Sequence, residues 1–507
     1  MDHAKVLMLT LTMGCAKALP SLNTATSSTL VMPAPGVDAR REHIPGRSLL
    51  IEDATLIDGL GGPPKVGVDV WVEDGSIHQI GVDLQAPGLP RIDAEGLILL
   101  PGMITAHSHV QSVPGSVLRR DSPAAIQVQQ ELQLRAYLAS GFTTVLDPAI
   151  GLQTALRLQA YLEAGNPGPE LFVLAPFVTP ADGYMTSAEM RGNAFADFWP
   201  AVVDAQTELE PLLEQAEVLN PVGAKVALED GVVFSNLATF DEETLEQIAS
   251  IGQQNNVRLF VHSISNDDHR QALKLNPHGL VHVGMWDEEI ATDVVDELAR
   301  RGTYVMTTIT LNHLALWGWS RSFEDDDWIR ARVPVLQWNT ATHPDEPRAL
   351  GMLAAEIMRP GWVPARLAQL SASMFVPSEE DVAEITASGV AAVQALEDAG
   401  IPWVVSADEG NSPAYTTYFH GVASQIELEQ LDAGGIPRES ILRACTQRPA
   451  EMLGAADRLG TIEVGKQADM ILVADNPLEH GMVAMRTLQW TIKRGEARTP
   501  SSWLVDP

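Results

Sequence analysis

Cysteine is nearly missing from the 507 residues: Cys15 and Cys445 are the only two, which excludes a disulfide framework and a cysteine-built zinc site. Any metal must be held by other side chains. Basic residues are scarce as well, with 33 Lys and Arg against 66 Asp and Glu, and the net charge of −33 would repel a phosphate backbone or an anionic lipid surface. Nucleic acid is not an expected partner. No apolar run approaches the ~18 residues of a membrane-crossing helix. With 45% hydrophobic and 20% charged residues, the composition is that of a globular chain rather than an integral membrane or disordered one.

Lys5 precedes a short apolar stretch, Val6 to Met13, and then Gly14-Cys15-Ala16-Lys17-Ala18. Residues 1–18 therefore read as a signal segment with a small-residue cleavage site, and Cys15 stands where a lipid anchor would be attached. Export is the expectation and a cytoplasmic protein the alternative, because Asp2 and Thr12-Met13 fit such signals poorly. Residues 19–46 are rich in Ser, Thr, Pro and Gly and read as a linker, with structure expected from Arg47 onward.

Residues 47–96 are a series of short β runs divided by Gly, Pro and Asp turns: Leu49-Leu50-Ile51, Ala54 to Ile57, Val66 to Val72 and Ile77 to Ile80. Residues 456–500 have the same character, so the two ends predict one shared β domain. Between them, in 97–455, strand-length apolar runs alternate with helix-length amphipathic stretches. The runs are Leu97–Leu100, Thr143–Leu146, Leu171–Ala175, Ala224–Leu228, Leu259–Val261, Gly279–Val283, Tyr304–Thr308 and Trp403–Ser406. Eight such runs predict an α/β fold with a (β/α)8 TIM-like barrel; a doubly wound open sheet is the alternative. About 95 residues separate the last two runs, against the ~30 of a simple βα repeat. This predicts a helical insertion at about 313–375 holding Trp317, Trp319, Trp328, Trp338 and Trp362. It reads either as a lid over the barrel mouth or as a subdomain with its own core.

His107 and His109 lie in Pro101-Gly102-Met103-Ile104-Thr105-Ala106-His107-Ser108-His109. Residues two apart on an extended segment share a face, so both imidazoles can point into a barrel mouth and chelate a metal. His262, His282 and Asp408 each end or nearly end an apolar strand, where barrels carry their active sites. Lys225 sits among Ala and Val, a costly place for a cation unless it is neutralised, paired or modified. Taken singly, each has an ordinary structural explanation.

With Ile51 to Gly59, Gly460 to Leu472, Leu100 to His109 and Gly141-Phe142-Thr143-Thr144-Val145-Leu146-Asp147, this set resembles the amidohydrolase superfamily, in its prolidase-like and imidazolonepropionase-like branch. The resemblance implies a composite β-sandwich, 47–96 plus 456–500, around a (β/α)8 barrel. It implies that His107 and His109 bind the more buried metal and that Lys225, carboxylated by carbon dioxide, bridges two ions. His262 and His282 would bind the second, and Asp408 would ligate the first and handle the proton. Two divalent ions, ordinarily zinc in such relatives, activate a water for attack on a carbonyl. One departure stands out: His262-Ser263-Ile264-Ser265 lacks the His or Tyr found two residues further on in many relatives, and Tyr184 is the candidate substitute for substrate contact. The expectation is a metal-dependent hydrolase, a dipeptidase in one reading, that cleaves an amide or peptide-like C–N bond of a small-molecule substrate. The alternatives are a mononuclear enzyme using His107, His109, His262 and Asp408 on cyclic amides, lactones or other esters, and an inactive ligand-binding relative. A homo-oligomer is left open. His269, His278, His313 and His420 read as surface or supporting residues.

Overall fold

Alternation begins to organise the chain at Lys65–Glu73, where Val68, Val70 and Val72 are buried. Val66, in phase with them, is exposed at the strand's start. Asp69 points the other way yet is also buried, because its carboxylate accepts the backbone N–H groups of Asp53 (3.0 Å) and Leu84 (2.8 Å). This computed structural model describes residues 43–186, 200–230, 237–283, 289–311, 313–314, 321–343, 379–411 and 416–505. All of them fall within one structural unit, Met32–Pro507. The signal segment with Cys15, the linker up to 42, and Trp317, Trp319 and Trp362 lie outside the described residues. Among the described residues no helix is long and apolar enough to cross a membrane.

Strands from both chain ends share one nine-stranded sheet. Its order is His43–Ile44, Glu496–Arg498, Leu488–Lys493, Met470–Val473, Ile98–Pro101, Leu49–Leu56, Lys65–Glu73 and Ser76–Gly81, with Arg91–Asp93 paired to Leu49–Leu56 off this path. The strands of the composite β domain expected from both chain ends are thus linked in one hydrogen-bonded sheet. Leu49, Ile51, Val70 and Leu99 from the first part of the chain pack with Met470, Leu472, Ile492 and Ala497 from the last. Two expectations need correction. Structure starts before Arg47, since His43 and Ile44 pair with Arg498 and Ala497. The run Leu97–Leu100 is not the first barrel strand: Ile98–Pro101 pairs antiparallel with Met470–Val473 in the terminal sheet. An apolar run buried on both faces carries no period to say which sheet it joins.

The barrel begins one turn later, at Met103–Thr105, which runs parallel to Phe142–Asp147 and, beyond it, Glu170–Val173. Gly102 makes the switch feasible, because a Cβ there would lie 2.3 Å from Thr143 Oγ1. A second parallel sheet runs Ala201–Val202, Phe177–Thr179, Ala224–Ala227, Leu259–His262, Gly279–Val281, Tyr304–Met306, Trp403–Val404. Backbone hydrogen bonds join the two sheets at both seams. At one, Val222 N–H donates to Val173 O (3.0 Å) and Ala175 N–H to Gly223 O (2.9 Å). At the other, Ala106 N–H donates to Val405 O (3.1 Å) and Asp408 N–H to His107 O (3.2 Å). Alternate residues face alternate sides: Ile104, Leu146, Phe260, Val281, Met306 and Val404 fill one cluster, while Val145, Val226, Val261, Leu280, Val305 and Trp403 join the other.

In the described part of the insertion, Ser322–Asp325, Asp327–Arg330 and Val335–Ala341 form short helical turns. Trp328 and Trp338 pack against a cluster that contains Phe323 and Ile329 but also Ile264, Leu311, Phe419 and Val422 from the barrel. These two tryptophans therefore do not belong to a separate core.

Candidate metal centre

The extended chain leaving Met103–Thr105 brings His107 and His109 to one place, with their Nε2 atoms 3.2 Å apart. The backbone at the other end of the ring delivers Asp408, whose Oδ1 lies 3.3 Å from His107 Nε2 and 3.0 Å from His109 Nε2. Asp408 Oδ1 is buried and, among the described residues, makes no hydrogen bond of regular geometry. Ligand atoms on a tetrahedral ion with ~2.0–2.1 Å bonds stand about 3.3 Å apart, so the three spacings are compatible with a shared ion. His107, His282 and Asp408 each turn one donor atom to within 4.8 Å of the others.

Across the mouth, His282 Nε2 is 3.1 Å from His262 Nδ1. The outer nitrogens of both rings are held from behind. His262 Nε2 meets Glu229 Oε2 at 2.8 Å, and His282 Nδ1 meets Thr308 Oγ1 at 2.8 Å. Such outer contacts fix which nitrogen faces a metal. The Tyr184 ring stacks on His262 with centroids 4.3 Å apart and planes 20° from parallel. Lys225 lies on Ala224–Ala227 between two residues of the outer cluster, which turns its side chain inward; it is 2% exposed.

Burial sets the charge states. It pulls His107 down to about 3, against the attraction of Asp408, and drives His282 well below its ordinary value, so both rings are neutral and able to ligate at neutral pH. Burial alone would raise Asp408, but His107 and His109 outweigh it and hold the carboxyl well below its usual range. Burial also brings the Lys225 ammonium down to about 7, with Asp408 and Asp147 pulling the other way.

Several residues around the site escaped sequence reasoning. Asp147 accepts N–H bonds from Val110 (2.8 Å) and Ala149 (2.9 Å) and lies 3.8 Å from His109 Nδ1. Asn411 Nδ2 donates to Asp408 Oδ2 at 2.6 Å. Glu409 accepts from Gly421 N (3.0 Å) and Ser424 N (2.7 Å), and its own carbonyl accepts from His109 N (2.8 Å). Asp147 and Glu229 were findable, since both end apolar runs in the way Asp408 does. Asn411 and Thr308 had no such signal. His282, Thr308 and Asp408 all have left-handed backbones, with φ of 78°, 69° and 53°. Side chains rarely adopt that region except where surrounding structure enforces it, as at functional sites. Of the remaining histidines, His269 is buried against Ser263 Oγ (2.8 Å), and His420 is buried with Gln133 (2.7 Å) and the carbonyl of His109 (3.2 Å).

Comparison with known proteins gives three kinds of match. The model of the amidohydrolase family matches residues 98–497. An N-acyl-D-aspartate deacylase of Alcaligenes xylosoxydans xylosoxydans is 52% identical over 132 residues, 25% of this chain and 23% of that protein. A dihydroorotase of Geobacter metallireducens is 35% identical over 99 residues, 19% of this chain and 21% of that protein. The chain thus spans less than a quarter of the length of either relative. A solved Xaa-Pro dipeptidase with methionine bound in its active site superimposes with a TM-score of 0.65 at 19% identity, covering 88% of this chain and 98% of that one.

Proposed function

The chain belongs to the amidohydrolase family, and from that premise we propose that it hydrolyses an amide or peptide-like C–N bond of a small molecule with a metal-activated water. The observation that carries this reading is the convergence of His107, His109 and Asp408 at 3.0–3.3 Å, facing a second pair, His262 and His282, at 3.1 Å. His107, His109 and Asp408 would hold one divalent ion, and His262 and His282 a second; zinc suits these nitrogen and oxygen donors. When bound, the ions supply Lewis acidity, which polarises a carbonyl and brings the pKa of a water toward neutrality.

The chain's own groups do the rest. Asp408 is anionic, with Oδ2 held by Asn411 and Oδ1 directed at the histidines; it accepts the proton of the attacking water and returns it to the leaving nitrogen. Lys225, near 7, has a substantial neutral fraction at physiological pH. Its neutral amine would bond to the carbon of CO2 and release a proton, and the resulting carbamate anion would suit neighbouring cations better than a buried ammonium. Tyr184, stacked on His262, would contact the substrate at the second pair.

An N-acyl-D-aspartate deacylase, a dihydroorotase and a Xaa-Pro dipeptidase are among the proteins this chain resembles, which supports a substrate with a C–N bond beside a carbonyl. A panel of N-acyl amino acids, Xaa-Pro dipeptides and cyclic amides, run with Asp408→Asn as blank, tests the reading. Turnover of at least one class, abolished in the variant, supports it; turnover unchanged in the variant, or none by the zinc-loaded parent across the panel, defeats it.

A further inference from the structure

Behind His282 lies a second, wholly buried layer. Glu427, on helix Val422–Ala433, is 0% exposed. Burying a carboxylate without a cation is expensive unless it is fully hydrogen-bonded. Hydrogen bonds reach it from the loop after Tyr304–Met306: from the Thr307 side chain, and from Ile309 N–H at 3.0 Å, Thr310 N–H at 2.8 Å and Thr310 Oγ1 at 2.6 Å. Immediately before them stands Thr308, a β-branched residue held at φ 69°, with its N–H on Ser406 O at 2.9 Å. That conformation is unfavourable for threonine and has to be imposed. Its product is the 2.8 Å contact between Thr308 Oγ1 and His282 Nδ1.

We propose that Thr308 and Glu427 are positioning residues for His282: Glu427 clamps residues 308–310 so that the Thr308 hydroxyl takes the His282 Nδ1 proton in a hydrogen bond and leaves the Nε2 lone pair directed at the site. The role rests on the metal-site reading above. It explains why a strained threonine is kept where glycine would adopt the backbone freely.

Three full-length variants test it, each compared with the parent for resistance to a chelator, the visible spectrum of the cobalt(II)-loaded protein, kcat, KM and Tm. Thr308→Gly removes the hydroxyl but relaxes the backbone. It is expected to keep or raise Tm while losing about 10–100-fold in metal retention at the His262 and His282 pair, with an altered cobalt spectrum and a fall in kcat larger than any rise in KM. Thr308→Ser keeps the hydroxyl and stays near the parent. Glu427→Gln moves metal retention and the spectrum in the same direction as Thr308→Gly. A parental cobalt spectrum and chelator resistance in both Thr308→Gly and Glu427→Gln overturn the inference and leave the metal site standing. A parent chain that takes up no metal overturns the site reading, and this inference with it.

Discussion

Glu229 illustrates how much of the site's chemistry depends on single contacts one layer out. Its carboxylate meets His262 Nε2 at 2.8 Å with both groups buried, so the ring presents Nδ1 to the centre. Replacing it by Gln weakens that acceptor and lets the ring turn. Glu229→Gln is therefore expected to cost about 10–100-fold in affinity for the ion proposed at the His262 and His282 pair, read by chelator titration, with the proposed His107, His109 and Asp408 position unaffected. Asn411 does the corresponding work for Asp408, through a 2.6 Å bond to Oδ2. Asn411→Ala leaves the carboxylate free to rotate away from the two Nε2 atoms, and kcat should fall about 10-fold or more while Tm changes little; parental kcat would show that Asp408 is positioned by the histidines alone. The histidines, Lys225 and Asp408 were legible because a polar residue inside or at the end of an apolar strand needs a reason. Glu427, Thr308 and Asn411 were not: the contacts of Glu427 and Thr308 are with residues distant in the chain, and Asn411, although only three residues after Asp408, has nothing local to set it apart from an ordinary loop residue.

At the scale of elements, the junction between sheet and barrel is the tightest test of the fold. Gly102 separates Ile98–Pro101 from Met103–Thr105, and a methyl group there would meet Thr143 Oγ1 at 2.3 Å and Cγ2 at 2.6 Å. Gly102→Ala should destabilise the protein by about 1–3 kcal/mol in denaturant unfolding, and adding Thr143→Ala should recover part of the loss. Strictly additive effects would show that the two strands do not press on one another. Seven of the eight apolar runs proved to be barrel strands because a parallel strand covered on both faces is a short unbroken apolar run. The eighth misled for the same reason: Ile98–Pro101 is buried on both faces too, but its partner is Met470–Val473, which no local pattern could announce. Helix Val422–Ala433 shows another limit, since its first turn is capped by Glu409 from the preceding loop rather than by its own N-cap, Gly421.

For the whole molecule, charge ties the barrel to the terminal sheet. Glu170, at the start of a barrel strand, pairs with Arg458 at 2.5 Å and with Arg494 at 3.4 Å. Burial would raise this carboxyl, but the hydrogen bond from Arg458 and the charges of Lys493, Arg458 and Arg494 prevail and hold it at about 2 instead of 4.5. A depressed carboxyl contributes its full stabilisation above pH 4.5 and loses it as pH falls toward 2. That contribution is up to about 3 kcal/mol. Glu170→Gln should therefore lower stability at pH 7 and flatten the loss between about pH 5 and 2; a parallel acid-unfolding curve would refute the assignment. The same barrel gathers widely separated side chains into the proposed metal centre. Stepwise return of zinc to chelator-stripped protein, with amide hydrolysis followed at each addition, tests it most directly. The expected result is no hydrolysis without zinc and a rise that saturates near about two equivalents per chain. Full hydrolysis by the stripped protein would contradict it.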